Sequence, residues 1–238
     1  LWRADSGRAH AADGGMVAPL ALGPAAYPLA GETDVDLFGW PRVREDRNLR
    51  GPLAMAVPGG LAALGLAHER FGRVPWAELV APAVQLARRG LEVDWYAALI
   101  IATVARELTL FPSSAATYLP DGLPPVPSGL LEPAFLGLGR LAESLALVAE
   151  EGAGTLYRGG LARCLSADLA ALDSPLSASD LEGYAAGWHE PRITLYRGTE
   201  VFAMPGLFAG QTLLACLDDL ARVTLTGASP DATAYRAY

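Results

Sequence analysis

The stretch GPLAMAVPGGLAALGLAHERFGRVPWAELVAPAVQLARRGLEV, Gly51 to Val93, decides how the rest of the chain is read. Leu53 to Val57 is a short apolar run that Pro58-Gly59 stops. Leu61, Leu64, His68 and Phe71 then recur at helical spacing until Gly72 supplies a stop. Pro75 and Pro82 both suit first-turn positions of new helices. Arg88 and Arg89, just before Gly90, place positive charge where a helix C-terminus favours it. The segment therefore reads as a compact block of short helices.

Working outward, residues 1 to 50 mix short apolar runs with turns. DLFGWPRVREDRNLRGP, Asp36 to Pro52, crowds charge among Pro and Gly and reads as a surface loop. Beyond the block, Asp94 to Leu110 reads as helix, and PDGLPPVPSG, Pro120 to Gly129, is too rich in Pro for regular structure. Helices follow over Gly137 to Glu151, closed by Gly152, and over about Gly160 to Leu172. Ser177-x-x-Asp180 has the form of a capping box, with Asp in place of the usual Glu, and starts a short helix over Asp180 to Tyr184. The period then changes: Ile193 to Tyr196 and Glu200 to Met204 read as strands joined in a hairpin across Arg197-Gly198, and Gly210 to Val223 returns to helix. The class is α/β, with no internal repeat and a single domain over 1–238.

Composition removes whole classes of function. Hydrophobic residues make up 52% of the 238 and charged residues 18%, yet the longest apolar candidate, Trp95 to Val104, falls well short of the ~20 residues a membrane helix needs. The net charge of −8 argues against nucleic acid, whose phosphates are bound through clustered positive charge. No membrane and no nucleic-acid partner is expected. Cys164 and Cys216 lie far apart in no metal or redox spacing and read as free thiols. LWRADSGRAHAADGG, the first 15 residues, carries no secretory-signal pattern, and the compartment is left open between cytoplasm and periplasm or exterior.

Local motifs add little. GLGRLA, Gly137 to Ala142, satisfies G-x-G-x-x-A formally, but it follows Pro133 with no well-formed strand ahead of it and no acidic residue at a strand end downstream, so it does not read as a dinucleotide fingerprint. A phosphate-binding lysine loop is excluded because the sequence has no Lys, and no G-x-S-x-G elbow occurs. His10, His68 and His189 are too scattered to make a local metal motif, and His68 on its helix reads as a packed, hydrogen-bonded residue. No metal and no cofactor is expected, and nothing nominates a serine triad.

A resemblance goes further. Gly51 to Val93 is similar to the long segment of gamma-glutamyltranspeptidases in which a V-P-G-x-x-x-G turn precedes a helix, a G-x-x-P-W turn and an A-P-A-x-x-L-A-x-x-G helix. LAESLALVAEEGAGTLYRGGLARCLSADL, Leu141 to Leu169, resembles that family's helix, F-Y-x-G turn and next helix. LSASDLEGYAAGWHEPRITLYRGTEVFAMPG, Leu176 to Gly206, resembles its L-x-x-x-D-L-x-x-Y, E-P, Y-R-G and M-P-x elements. DGGMVAP, Asp13 to Pro19, sits where the family has D-x-R-E-x-A-P. The pieces agree in order and together span most of the chain.

The resemblance implies an N-terminal-nucleophile hydrolase, an α/β/β/α sandwich made as a precursor that cuts itself into a larger and a smaller chain. It implies that these residues are the helix-rich larger-chain portion, and that the partner is the smaller chain, opened by a Thr whose own α-amine serves as base. The family's nucleophile falls downstream of the segment matched by Ala221 to Tyr238, so no catalytic residue is nominated in this chain. Two substrate-binding positions are nominated by correspondence, Gly15 and Met16, which stand where the family has Arg and Glu. The family's Arg pairs with the α-carboxylate of a glutamyl group, so its replacement by Gly15 implies a small-molecule amide with a different acyl group. The family's polar P-P-S-S-G-G turn is matched by PGLFAGQ, Pro205 to Gln211, with apolar Leu207 and Phe208. The expectation is an amide-cleaving or acyl-transferring enzyme of altered acyl specificity. The alternative is a non-catalytic relative that serves binding or assembly, and a Thr at the downstream cleavage point discriminates the two.

Overall fold

In the computed structural model, the described residues are 1–33, 39–126 and 133–223. In chain order the elements begin with β1 (Trp2–Arg3), β2 (Arg8–Ala9), β3 (Ala11–Asp13), β4 (Leu29–Thr33) and β5 (Pro41–Val43). The helical stretch follows, with α1 (Gly60–Phe71), α2 (Trp76–Arg89), β6 (Leu91–Val93), α3 (Trp95–Thr103), α4 (Ala105–Thr109) and α5 (Pro112–Tyr118). Then come β7 (Ala134–Leu136), α6 (Leu141–Glu151), α7 (Thr155–Arg158), α8 (Gly160–Ala171) and α9 (Ala178–Gly183). The chain's last described elements are β8 (Gly187–His189), β9 (Arg192–Tyr196), β10 (Thr199–Ala203) and α10 (Gly210–Ala221). Among the described residues the strands form five two-stranded sheets, and every pairing is antiparallel. No helix among them is long and apolar enough to cross a membrane.

The chain divides into two compact units. One holds Ala18–Val57 and His68–Tyr184, and the other Leu1–Val17, Pro58–Ala67 and Ala185–Tyr238.

The larger unit is held by helix packing and by side chains that satisfy backbone groups. Helices α2 and α6 lie against each other, and Trp76 at the start of α2 donates its indole N–H to the carbonyl of Val148 in α6 at 2.8 Å. An indole buries a large apolar body while its N–H keeps a partner, which fixes both the spacing and the register of the pair. His68 behaves as the sequence indicates: Nε2 lies 2.8 Å from the carbonyl oxygen of Val74, and its ring meets Trp76 edge-on at 5.1 Å. It is a packed residue that fastens the end of α1 to the turn leading into α2.

Around α8 and α9 the core is Val57, Ala162, Leu169, Leu176 and Leu181, and Leu181 is completely buried. Burying a leucine contributes roughly 1.5–3 kcal/mol. A second core gathers Val93, Ile101, Leu119 and Leu136 between the β6–β7 pair and α3. The expected capping box forms: Ser177 Oγ accepts the Asp180 N–H, and the Asp180 carboxylate accepts the Ser177 N–H at 2.9 Å. The helix starts at Ala178, two residues earlier than the sequence reading placed it, because Ser177 is its N-cap. Burial raises the Asp180 carboxyl, but N–H donors from Leu20 and Ser177 and the Ser177 hydroxyl outweigh it and hold the group below the usual carboxylate range.

Several expectations are corrected. Pro82 does not open a helix; it lies inside α2, which runs unbroken from Trp76 to Arg89. A proline there removes one backbone bond at a cost of about 3 kcal/mol, and the long apposition of α2 with α6 outweighs it. The Asp94–Leu110 helix is split at Val104 into α3 and α4, and α5 follows where no element was expected. The surface loop over Asp36–Pro52 contains β5, paired with β4; its residues 36–38 lie outside the described residues. Residues 137–140 are not helical, and a strand, β7, does precede Gly137. That strand pairs antiparallel with β6, not in the parallel β-α-β unit that a dinucleotide fingerprint requires.

The smaller unit contains β1–β2, the β3–β8 pair, the β9–β10 hairpin and α10. The hairpin turns at Arg197 (φ 49) and Gly198 (φ 82), two positive φ values that match a twisted two-residue connection. Helix α10 packs on one face of the hairpin, where Thr194 donates its hydroxyl to Asp218. The other face carries Ile193, Leu195 and Phe202, with Ile193 53% and Leu195 64% exposed.

Candidate functional site

The candidate site lies in the smaller unit, where strand β3 ends and an Asx turn over Asp13–Gly15 carries the chain on to Met16. Asp13 makes the turn: its Oδ1 accepts the Gly15 N–H at 2.8 Å, the local hydrogen bond through which aspartate replaces a ladder partner at a strand end. The turn admits no side chain at its first position. A Cβ on Gly14 would stand 2.7 Å from the Ala63 Cβ and 2.8 Å from the Gly59 carbonyl oxygen at the start of α1.

Gly15 is half-buried, and the position its Cβ would take lies 3.1 Å from Cζ of Phe208. Phe208 belongs to the loop that leaves β10 and enters α10, which is the Pro205–Gln211 segment. The two stretches that depart from the family pattern in sequence thus meet in space. Met16 points away from this contact, with 78% of its surface exposed. Of the two nominated positions, Gly15 therefore faces the partner loop and Met16 faces outward.

The Phe208 loop is itself tightly determined. A Cβ on Gly210 would stand 2.1 Å from the Met204 carbonyl oxygen, so only glycine lets α10 begin so close to the end of β10. That close return brings Phe208 back over the Gly15 turn. Leu207, next to it, is fully exposed. The facing surface of the site is accordingly an aromatic ring and glycine backbone, with no cation supplied by position 15.

Two further residues join the turn. His189 on β8 stands opposite Ala11 on β3, so it shares a face with Asp13, two residues along. Its Nε2 lies 3.4 Å from Asp13 Oδ2. The Asp13 carboxylate therefore accepts the Gly15 N–H through one oxygen and has an imidazole nitrogen 3.4 Å from the other. Sequence reasoning left His189 as a scattered histidine; the strand alternation that sets it beside Asp13 shows only once β8 is paired with β3. Arg3 is a poor substitute for the missing arginine, because it forms an ion pair with Asp5 in its own hairpin.

Chemically, the arrangement packs the edge of the Phe208 ring directly against glycine backbone, with less than a methyl group's room between them, so that the two together form one uncharged wall. It supplies no nucleophile, and among the described residues no cluster of three His, Cys, Asp or Glu side chains is arranged to hold a metal ion.

The sequence model of the gamma-glutamyltranspeptidase family matches residues 1–237. The acylase ACY 1 proenzyme of Pseudomonas sp. (strain SE83) is 38% identical over 163 residues, covering 68% of this chain and 28% of that protein. The glutathione hydrolase proenzyme of Escherichia coli (strain K12) is 31% identical over 160 residues, covering 67% of this chain and 27% of its own length. The chain thus spans under a third of the length of these curated relatives. The crystal structure of Helicobacter pylori gamma-glutamyltranspeptidase superimposes on 100% of this chain and 65% of that one, with a TM-score of 0.85 at 22% identity. The fold is accordingly that of these gamma-glutamyltranspeptidase structures, and the expected α/β class holds.

Proposed function

The chain belongs to the gamma-glutamyltranspeptidase family, and from that premise we propose that it is the larger-chain portion, a single functional domain over 1–238, of an amide-cleaving hydrolase or acyltransferase. The nucleophile is a Thr at the N-terminus of the smaller chain made from the same precursor. Its hydroxyl attacks the amide carbonyl and its own α-amine takes the proton; backbone N–H groups hold the oxyanion. The amine half of the substrate leaves, and water or a second amine then takes the acyl group from the Thr oxygen. The small molecule is an amide whose acyl group is not a γ-glutamyl group.

One observation carries the acyl specificity: the meeting of Gly15 with Phe208. Where the family places an arginine fork for an α-carboxylate, this site offers a bare turn covered by an aromatic ring. A missing charged partner of this kind is worth about 1.5–3 kcal/mol, or roughly ten- to hundredfold in rate. An apolar or uncharged acyl head suits such a surface better. The 38% identity with a protein named an acylase supports the same reading.

The partner chain is supported by the β9–β10 hairpin. Helix α10 covers one face, while Ile193 and Leu195 on the other are more than half exposed and, among the described residues, the hairpin pairs with no third strand. A two-stranded sheet of this kind is marginal until something covers it and extends it. The names of the relatives, both proenzymes, agree with a precursor that is cut.

The test is maturation. Expressed from the full gene, the protein runs as two fragments on a denaturing gel, with the smaller fragment beginning with Thr by N-terminal sequencing. A single uncut band in a folded, soluble preparation contradicts the proposal.

A further inference from the structure

The Asp13 carboxylate is shared. One oxygen takes the Gly15 N–H at 2.8 Å, and the other lies 3.4 Å from Nε2 of His189. A carboxylate that caps its own turn through one oxygen still rotates about χ2 unless something fixes the second. Here that something comes from the neighbouring strand.

The strand pairing is what makes the reach possible. Ala11, opposite His189, is small, and Gly187, opposite Asp13, has no side chain. The imidazole therefore lies diagonally along the pair toward Asp13, with Nε2 3.7 Å from where a Cβ on Gly187 would stand. Diagonal neighbours on one face of an antiparallel pair are within reach of a long or aromatic side chain.

We propose that His189 is a positioning residue for acyl recognition, acting through Asp13 to hold the Gly15 turn at its distance from Phe208. The inference rests on the assignment of that turn to acyl binding, but its mechanical half stands apart from it. The chain of action is His189 to the Asp13 carboxylate, the carboxylate to the Gly15 amide, and Gly15 to the Phe208 ring. Gly14 lies against Gly59 and Ala63, so the turn cannot compensate by sliding toward α1. Losing the imidazole frees the carboxylate, and the turn shifts against the Phe208 ring with which it forms the wall that borders the acyl group.

The experiment uses the full-length protein with His189→Leu and His189→Gln. Leucine fills space without a polar nitrogen, whereas glutamine keeps one near the place of Nε2 and its 3.4 Å approach to the carboxylate. Hydrogen exchange of the Gly15 amide reads the mechanical half directly. It speeds up roughly three- to tenfold in His189→Leu, the scale of one lost surface interaction, and returns most of the way in His189→Gln. Steady-state kinetics on a butyryl anilide read the recognition half: KM rises roughly three- to tenfold in His189→Leu with kcat within about twofold, and glutamine rescues it. Unchanged Gly15 exchange in His189→Leu overturns the proposal, whatever the activity. Faster exchange with unchanged KM also overturns it, since the turn would then move without consequence for the acyl group. Equal losses in both variants reduce His189 to packing and overturn it too. Absence of all acyl anilide cleavage by the wild-type protein defeats the enzymatic assignment instead and with it the role in recognition, and that outcome is distinct because the exchange arm still reports the bridge.

Discussion

The helical block around α2, α6, α8 and α9 and the turn-bearing strands around Gly15 are built on opposite terms. In the block, Trp76 binds Val148, His68 binds Val74, and the buried Asp180 takes donors from Leu20 and Ser177, all inside the same unit, while the buried Ser166 hydroxyl of α8 has no partner among the described residues. Around Gly15 the backbone is just as tightly determined; on the β9–β10 face Phe202 packs against Trp2, but Ile193 and Leu195 stay open, as do Leu207 and Met16. The difference lies in the long-range polar ties of the block rather than in apolar exposure, since Leu79 and Leu86 of α2 are also more than half exposed. Substitutions in the block should act on stability, and substitutions around the turn should act on chemistry.

The strongest challenge to that division is a truncation in the block. Leu181→Ala removes a completely buried side chain from the core that Val57, Ala162, Leu169 and Leu176 share, and it should cost about 2–5 kcal/mol. The denaturant midpoint of the full-length protein falls accordingly, while kcat/KM of the fraction still folded stays within about twofold. A specific loss of activity without loss of stability would break the comparison.

The same glycine-to-alanine change gives contrasting results in the two regions. A Cβ at Gly210 would stand 2.1 Å from a backbone oxygen, so Gly210→Ala must displace the Phe208 loop; at Gly183 in α9 nothing lies within 4 Å. We expect kcat/KM to fall at least about tenfold in Gly210→Ala, equivalent to roughly 1.4 kcal/mol in the barrier. Gly183→Ala should be neutral or stabilising by about 0.4–1 kcal/mol through the unfolded chain. Thermal melts and kinetics on the two variants decide it.

Acid sharpens the picture of the block. The folded-state pKa of Asp180 is held below its ordinary 3.8, so the native state binds this proton less readily than the unfolded chain. Its contribution is therefore fully present above pH 3.8 and is lost as pH falls through the lower folded value. Asp180→Ala leaves the Leu20 and Ser177 donors without the carboxylate and should cost about 1–3 kcal/mol at neutral pH. The gap between variant and wild type should narrow in denaturant titrations below pH 3.8. A gap that widens there would contradict the assignment.

The smallest expected effect is on the turn itself. Gly15→Arg alone cannot fully restore an arginine fork, because its Cβ would press within 3.1 Å of Phe208. Pairing it with Phe208→Ser should recover several-fold more γ-glutamyl cleavage than the single change, a non-additivity of about 1 kcal/mol between contacting residues. Strict additivity in a double-mutant cycle would show that the two positions do not meet in the working enzyme.

Much of the fold was legible because its signals are local. The recurrence of Leu61, Leu64, His68 and Phe71, the Ser177-x-x-Asp180 box and the Arg197-Gly198 hairpin each specify geometry within a few residues, and each appears where it was read. What escaped depends on distant partners. Strands β6 and β7 are three residues each and exist because they pair across 40 intervening positions, which no short period announces. Pro82 misled because a local rule was overridden by the apposition of α2 with α6. At the site, Gly15 could be nominated only by its place in DGGMVAP. Its partners Phe208 and His189 lie far along the chain and join it through strand pairing and the tight return at Gly210.

The most direct test of the proposed acyl specificity compares kcat/KM of the mature two-chain protein on three anilides. These are the γ-glutamyl compound, the glutaryl compound that differs only in lacking the α-amino group, and a simple acyl compound lacking the carboxylate as well. With a glycine turn and Phe208 in place of an arginine fork, the simple acyl anilide should be cleaved at least as well as the other two, and the γ-glutamyl compound should lag by roughly ten- to hundredfold. A strong preference for the γ-glutamyl anilide over both would contradict the account.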